Sequence, residues 1–324
     1  MKLQELATFF KISYQGDPDF AVNGISSIDN PIQNTVLLVS KPKLVNFLTN
    51  QSYAFLIEEK ELHSPLPKGN FLLVDNPRVI FAKITCLFKI ESSIPKPFIQ
   101  DNFKVKLNHG YNFTVGKNFK YGVGCKIGNN VIIEDNVLIG DKVILGHNIC
   151  IHKDTVIGNC VNIDSGTVIG SEGFGNVINS RDEWEHINHL GGVTVGDNVS
   201  IGSNCCIDRG TIENTVIGNN VIMDNFIHIA HNVEIGNGTA IAASTAVAGS
   251  CKIGRRNLIG GMVGILDHVS TVDEVFISSC STVFQNIKKP GKYTGFMPVT
   301  LHSNWKRIAF WLSKLDKIMR FKKF

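Results

Sequence analysis

From Val115 onward an aliphatic side chain returns at every sixth position, usually followed by glycine or another small or polar residue: Ile127-Gly128, Ile133-Glu134, Ile139-Gly140, Leu145-Gly146, Ile157-Gly158, Ile163-Asp164, Ile169-Gly170. The period breaks after Ile169, resumes at Val195, Ile201 and Ile207, shifts by four residues, and runs on from Ile217 to Val283. With the weak members Tyr121 and Thr271 this makes about 25 hexads. A period of six fits neither a helix nor simple strand alternation. It fits a short strand and a turn, with one aliphatic side chain per unit pointing inward. Three hexads close a triangular coil, so the pattern predicts a parallel β-helix of roughly eight coils, about 4.8 Å apart. An all-β sandwich would instead need hairpin signals every 8 to 12 residues or so.

Residues 1–95 lack the period. Amphipathic stretches at Leu3–Phe10 and Pro42–Asn50 alternate with the apolar runs Ala54–Ile57 and Phe71–Val74, the pattern of a small α/β domain. Ser92–Pro97 reads as a linker, followed by a degenerate capping coil. The solenoid is expected over 96–290, interrupted at 171–192 by one long loop, and long loops in compact domains are more often functional than accidental. In the final segment, 291–324, Trp305, Ile308, Leu312, Leu315 and Met319 fall at alternating spacings of three and four, which predicts a helix with one apolar stripe.

Composition narrows the class. The 324 residues are 43% hydrophobic and 19% charged, a balance typical of soluble globular proteins with two domains. No apolar run is long enough for a bilayer span, and the charged start, Met1 to Glu5, lacks a small-residue cleavage site, so a cytoplasmic protein is expected. Eight cysteines without a CxxC pair argue against a disulfide scaffold and a zinc ribbon, and suggest mostly buried thiols. The net charge of +4 comes from the tail: residues 305–324 hold seven Lys or Arg and one Asp. This basic segment, with Arg255 and Arg256, suits an acidic protein partner through Lys306, Arg307 and Lys314. Packing between subunits with a solvated basic face, or peripheral membrane contact through Trp305, Phe310 and Trp311, are the competing readings. Nothing in the pattern points to nucleic acid.

Residues one coil apart stack in a column. His231 lies two positions past the inward Ile229, Gly249 stands one coil on, and Asp267-His268 a coil further, so all should share one edge within roughly 10 Å. The hexads between, Thr239–Ser244 and Thr245–Ser250, are unusually small and predict a groove. A neutral imidazole beside a bare amide is what acyl transfer needs: a base for the nucleophile and a donor for the developing oxyanion. Glycine, without a Cβ, lets a carbonyl approach its N–H.

Asp224-Asn225 with Ile229-Ala230-His231-Asn232, then Ala248-Gly249-Ser250, Ile259-Gly260-Gly261, Gly170 to Gly175, Ile207-Asp208-Arg209-Gly210, Asp75-Asn76-Pro77-Arg78 and the segment from Gly291 to Arg307 together resemble the UDP-3-O-(3-hydroxyacyl)glucosamine N-acyltransferases of lipid A biosynthesis. The resemblance covers nearly the whole chain. It implies transfer of a 3-hydroxyacyl chain from acyl carrier protein to the 2-amino group of UDP-3-O-acylglucosamine by a left-handed β-helix homotrimer with sites between subunits. No cofactor or metal is implied. Carried over residue by residue, the base falls on His231, the oxyanion amide on Gly249, and supporting roles on His268 and Asp224. Lys41, Lys43, Asn76, Arg78 and Asn232 fall at substrate-binding positions, with residues 1–95 holding the uridine. One departure matters: the two positions where relatives carry uracil-gripping aromatics are Leu38 and Leu44, which leaves stacking to Phe47 or Tyr53, or weakens it.

Other classes share some of these features. An acetyl-CoA-dependent nucleotide-sugar N-acetyltransferase and a non-catalytic β-helix scaffold share the hexads, and the sister O-acyltransferase lacks the N-terminal domain. A zinc hydratase of the γ-carbonic anhydrase type would need His109, His147 and His152 to converge.

Overall fold

The structure, a computed structural model, describes residues 1–39, 51–61, 68–100, 105–295 and 299–321. Each hexad closes as a strand of two to four residues and a corner. Strands one coil apart pair in parallel, as in Lys126–Ile127 with Ile144–Leu145 and Ile132–Ile133 with Cys150–Ile151. Two ten-stranded sheets and one seven-stranded sheet form the three faces of a left-handed parallel β-helix. The hexad aliphatics fill its axis, from Ile127 and Ile133 through Ile229 and Val247 to Ile277, all buried.

Two devices hold the coils in register. The corner residue adopts a left-handed φ, which asparagine tolerates better than most side chains; Asn112, Asn130 and Asn148 do so at 54–55°. Their amides then form a ladder, Asn112 Nδ2 donating to Asn130 Oδ1 and Asn130 Nδ2 to Asn148 Oδ1, each at 2.9 Å. The glycine after an inward aliphatic answers a close approach: a Cβ on Gly128 would lie 2.2 Å from the Gly146 carbonyl oxygen of the next coil.

The N-terminal part has helix α1 (Leu3–Phe10), strands β1 (Ser13–Gln15), β2 (Gly24–Ser26), β3 (Thr35–Leu38), β4 (Ala54–Glu58) and β5 (Asn70–Val74), and helix α2 (Pro77–Phe88). The sheet order is β1-β5-β4-β3-β2, with only β1 antiparallel to its neighbour. Leu3, Leu6 and Ala7 of α1 and Phe81 and Ile84 of α2 bury against Leu56 and Leu72. The following linker is tied down: Ser93 N–H donates to Asp135 Oδ2 at 2.8 Å, and Ser92 Oγ to Glu134 Oε2 at 3.1 Å. Glu134 also accepts from His152 Nδ1 at 3.1 Å, which holds its carboxyl down at about 2.

Two expectations are corrected. The 171–192 interruption is more than a loop, because Asn176–Ile178 and Trp184–His186 pair as an antiparallel hairpin. It packs on α2 through the Lys83–Glu185 and Lys89–Glu172 ion pairs, while Asn188 N–H donates to Thr85 Oγ1 at 3.0 Å. The four-residue shift after Ile207 contributes in the same way. Ser27 Oγ donates to Glu213 Oε1, and Ile212 joins Ile187 and Leu190 against the N-terminal core. Both breaks in the period are therefore seams on which the N-terminal part rests. The cysteines are the second correction. Only Cys125, Cys205 and Cys251 are buried, whereas Cys86 and Cys160 are exposed at a helix surface and a corner.

Helix α3 (His302–Phe321) forms where the stripe predicted it; Trp305, Ile308, Leu312 and Leu315 of that stripe are largely exposed, as is Trp311, while the Met319 side chain lies outside the described residues. Among the described residues no helix is long and apolar enough to cross a membrane.

Candidate active site

The column counted from the sequence forms. His231 and Gly249 occupy the same corner position on successive coils, and a Cβ on Gly249 would lie 2.8 Å from both Cε1 and Nε2 of His231. Ser250 N–H donates to the His231 carbonyl at 2.9 Å and His268 N–H to the Gly249 carbonyl at 3.0 Å. His268 stacks in the adjoining column above Asn232 and Ser250, all three at φ of 58–60°. Elsewhere the N–H at the His231-type position is taken by a side chain one coil on, as Lys117 N–H is by Asp135 and Arg255 N–H by Asp273. Gly249 offers His231 no such acceptor, and among the described residues its own N–H has no partner.

The tautomer of His231 follows from its neighbour. Asn232 Oδ1 accepts from Thr211 N–H at 3.0 Å, while Nδ2 donates to the Glu213 carbonyl, which fixes the orientation of the amide. That oxygen lies 3.1 Å from His231 Nδ1. Nδ1 therefore carries the proton and Nε2, facing Gly249, is the free base.

Sequence reasoning missed one component. His189, from the 171–192 segment, lies edge-on to His231 with ring centroids 5.1 Å apart. It is 2% exposed, and neither ring nitrogen has a hydrogen-bond partner among the described residues. Burial, and then the proximity of His231, push its pKa down to about 4, so it is a neutral wall at ordinary pH. Gly173 and Gly175 close around this pair: a Cβ on Gly173 would meet His231 and His189 at 2.9–3.0 Å, and one on Gly175 would lie 2.6 Å from His189 Cε1. The signal was Gly173-Phe174-Gly175 beside a histidine in the interruption, but no periodicity links that segment to His231.

The remaining candidates scatter. Asp224 stands at the next corner back along the coil, the other end of the face that leads to His231, and accepts from Asn225 N–H at 2.8 Å. Beside it a cavity of about 420 Å³ runs past Ala240, Ala242, Leu258 and Phe276, so of the two small hexads Thr239–Ser244 lines a groove at the Asp224 end and Thr245–Ser250 does not. Asn76 caps α2 through Val79 N–H and borders a cavity of about 450 Å³ under the hairpin tip, with Arg78 exposed two residues on. Lys41, Lys43, Leu44 and Phe47 lie outside the described residues. Leu38 packs on the N-terminal core and Tyr53 against Phe55. Arg255 and Arg256 sit at the third corner, Arg256 paired with Glu274 at 2.8 Å. On α3, Lys306 is exposed, Arg307 binds Asn304 Oδ1 and Lys314 lies over Phe310. The three histidines a zinc hydratase would use do not converge: His147 accepts from Asn129 N–H, His152 pairs with Glu134, and His109 lies edge-on to Phe98.

No family model matches the chain. A UDP-3-O-acylglucosamine N-acyltransferase of Coxiella burnetii (strain Dugway 5J108-111) is 32% identical over 98% of this chain and 98% of its own length. The chain belongs to the UDP-3-O-acylglucosamine N-acyltransferase family. A second member, from Pseudomonas syringae pv. tomato (strain ATCC BAA-871 / DC3000), is 33% identical over 99% of this chain and 93% of its own length. Among solved structures, a UDP-N-acetylglucosamine acyltransferase aligns with 64% of this chain and 81% of its own at a TM-score of 0.50 and 21% identity, a likeness of fold. Membership in the N-acyltransferase family makes this chain an acyltransferase.

The pKa of His189 is testable. Its folded value, about 4, lies below the ordinary 6.5, so the unfolded chain binds more protons between those values and stability falls as pH drops through that window. The variant His189→Gln should lose less thermal stability than the wild type between pH 6.5 and 4, and an NMR titration of the His189 ring should give a midpoint near 4. A midpoint near 6.5 would contradict a dry wall beside His231.

Proposed function

We propose that this enzyme moves a 3-hydroxyacyl chain from an acyl carrier protein thioester to the 2-amino group of UDP-3-O-acylglucosamine, with His231 as general base and the Gly249 amide as oxyanion donor. The observation that carries this reading is the free Nε2 of His231 set against an unpartnered amide that no side chain shields. The amine arrives as ammonium and gives one proton to solvent before it can attack, keeping a second to lose as the C–N bond forms. Its nitrogen bonds to the thioester carbon, the oxyanion is held by Gly249 N–H, and His231 Nε2 takes the proton. Collapse then breaks the C–S bond, and the His231 imidazolium returns the proton to the departing thiolate. His268, two coils along the axis, is suited to orienting the substrate. His189 stays neutral while His231 is charged, so the two do not compete for the proton.

Asp224 and His231 stand at opposite ends of one face. A homotrimer that turns this face toward its axis sets an Asp224 corner of one protomer against a His231 corner of the next, which unites the groove with the base between subunits. In this reading residues 1–95 hold the uridine, residues 96–290 carry the chemistry, and 291–324 serve the assembly and the donor. The catalytic test is direct. His231→Ala should lower transfer by about 10² to 10⁴ in a folded protein, with a smaller effect for His268→Ala, when UDP-3-O-acylglucosamine is assayed with acyl carrier protein thioesters. A folded variant that keeps more than about a tenth of the activity would remove His231 from the role of base.

The donor is a small acidic protein, and α3 presents Lys306, Arg307 and Lys314 without carboxylate partners among the described residues. Arg256, half-neutralised by Glu274, is the weaker contributor. Changing Lys306, Arg307 and Lys314 to Glu should raise KM for the carrier-borne donor and flatten its salt dependence, with KM for the UDP-sugar unchanged. Unchanged donor kinetics would reject docking on α3, and loss of liposome binding in the same variant would favour membrane contact.

A further inference from the structure

On the face of the coil that runs between the Asp224 and His231 corners lies a second chemical cluster. Cys206 and Asp208 are two residues apart on one strand, so their side chains leave the same side of the sheet. His228 is the direct neighbour of Cys206 on the next coil. Asp208 sits between them, Oδ1 at 3.6 Å from Cys206 Sγ and Oδ2 at 3.7 Å from His228 Nε2. The three donor atoms lie within 4.8 Å of one another. The carboxylate is only 8% exposed and its Oδ1 also accepts from Ser171 Oγ at 2.8 Å, whereas the imidazole is 48% exposed. The backbone positions of all three are fixed by the coil pairing.

We propose that Cys206, Asp208 and His228 form a transition-metal site fitted to Zn²⁺. A tetrahedral ion with a metal–sulfur bond of about 2.3 Å and metal–nitrogen or –oxygen bonds near 2.0 Å separates its ligands by about 3.3 to 3.5 Å. The two separations to Asp208 are made by different carboxylate oxygens, Oδ1 toward the thiol and Oδ2 toward the imidazole, so one oxygen must serve the ion, and the half-exposed imidazole has room to turn in and close the distance. One thiolate, one imidazole and one carboxylate suit a borderline ion, not Mg²⁺ or Ca²⁺, which take oxygen shells. Binding sends the Cys206 thiol proton to solvent and leaves a fourth position for water or Ser171 Oγ. Ser171 is where the 171–192 segment leaves the coil, and His228 is three residues before His231. The ion would tie the root of that segment to the coil that carries His231.

The full-length protein, equilibrated with Zn²⁺ and freed of excess, should hold about one zinc per chain by elemental analysis, falling at least fivefold in Cys206→Ser and in His228→Ala. Co²⁺ should give a thiolate-to-cobalt band in the near ultraviolet that Cys206→Ser lacks and the exposed-thiol control Cys160→Ser keeps. Zn²⁺ should raise Tm of the wild type by a few degrees and leave that of Cys206→Ser unchanged. If Cys206→Ser does not fold, His228→Ala, which alters the exposed member, decides the zinc ratio. Zinc below about a tenth per chain, or a ratio equal in wild type and variants, would reduce the cluster to hydrogen bonds and overturn the site.

Discussion

Everything in this molecule depends on the hydrogen bonds between successive coils. A hexad alone buries one aliphatic side chain and leaves its backbone groups open, so it has no stability of its own. Stacked on a neighbour eighteen residues away, each coil exchanges a full set of strand bonds, extends the apolar axis and adds a rung to the asparagine ladders at the corners. The stacking fixes which side chains on different coils meet. His231 and Gly249 meet because each has the same place in its own coil.

The solenoid was legible because its period is absolute: counting eighteen residues along the sequence places His231, Gly249 and His268 on one edge. What the count could not reach lies where the period breaks. His189 comes from an interruption that obeys no repeat, and it meets His231 because the hairpin folds back onto α2 and returns beside the column. Cys206 and His228 are neighbours at a separation of twenty-two residues, since the four-residue insertion at the Arg209 corner lies between them, and a column counted in eighteens passes the pair by. Asp224 was reached through resemblance, and the coil sets it at another corner. The burial of the cysteines was misjudged because residue type says little about whether a position falls on the axis, at a corner or on a helix surface.

The same breaks explain how a regular rod carries a specific site. A perfect solenoid would expose His231 on a bare edge. The 171–192 segment covers one side of it with Gly173 and a dry, neutral His189, and the insertion after Ile207 supplies the Thr211 and Glu213 groups that fix Asn232 and so the tautomer of His231. Buried Arg209 links the two, donating to the Gly191 carbonyl at 2.7 Å and to Asp154 at 3.1 Å. The N-terminal sheet rests on both segments. The N-terminal part and the His231 column are thereby held in one register by the two places where the sequence departs from its rule.

The central claim is that the thioester carbonyl is received by the amide of Gly249 beside the Nε2 of His231. A crystal structure of His231→Ala bound to acyl carrier protein carrying its thioester would test it most directly. The account predicts the carbonyl oxygen at about 2.7 to 3.1 Å from Gly249 N, with its carbon facing the space left by the imidazole. A carbonyl held by another donor, or lying at the Asp224 end of the groove away from any Gly249 amide, would contradict it.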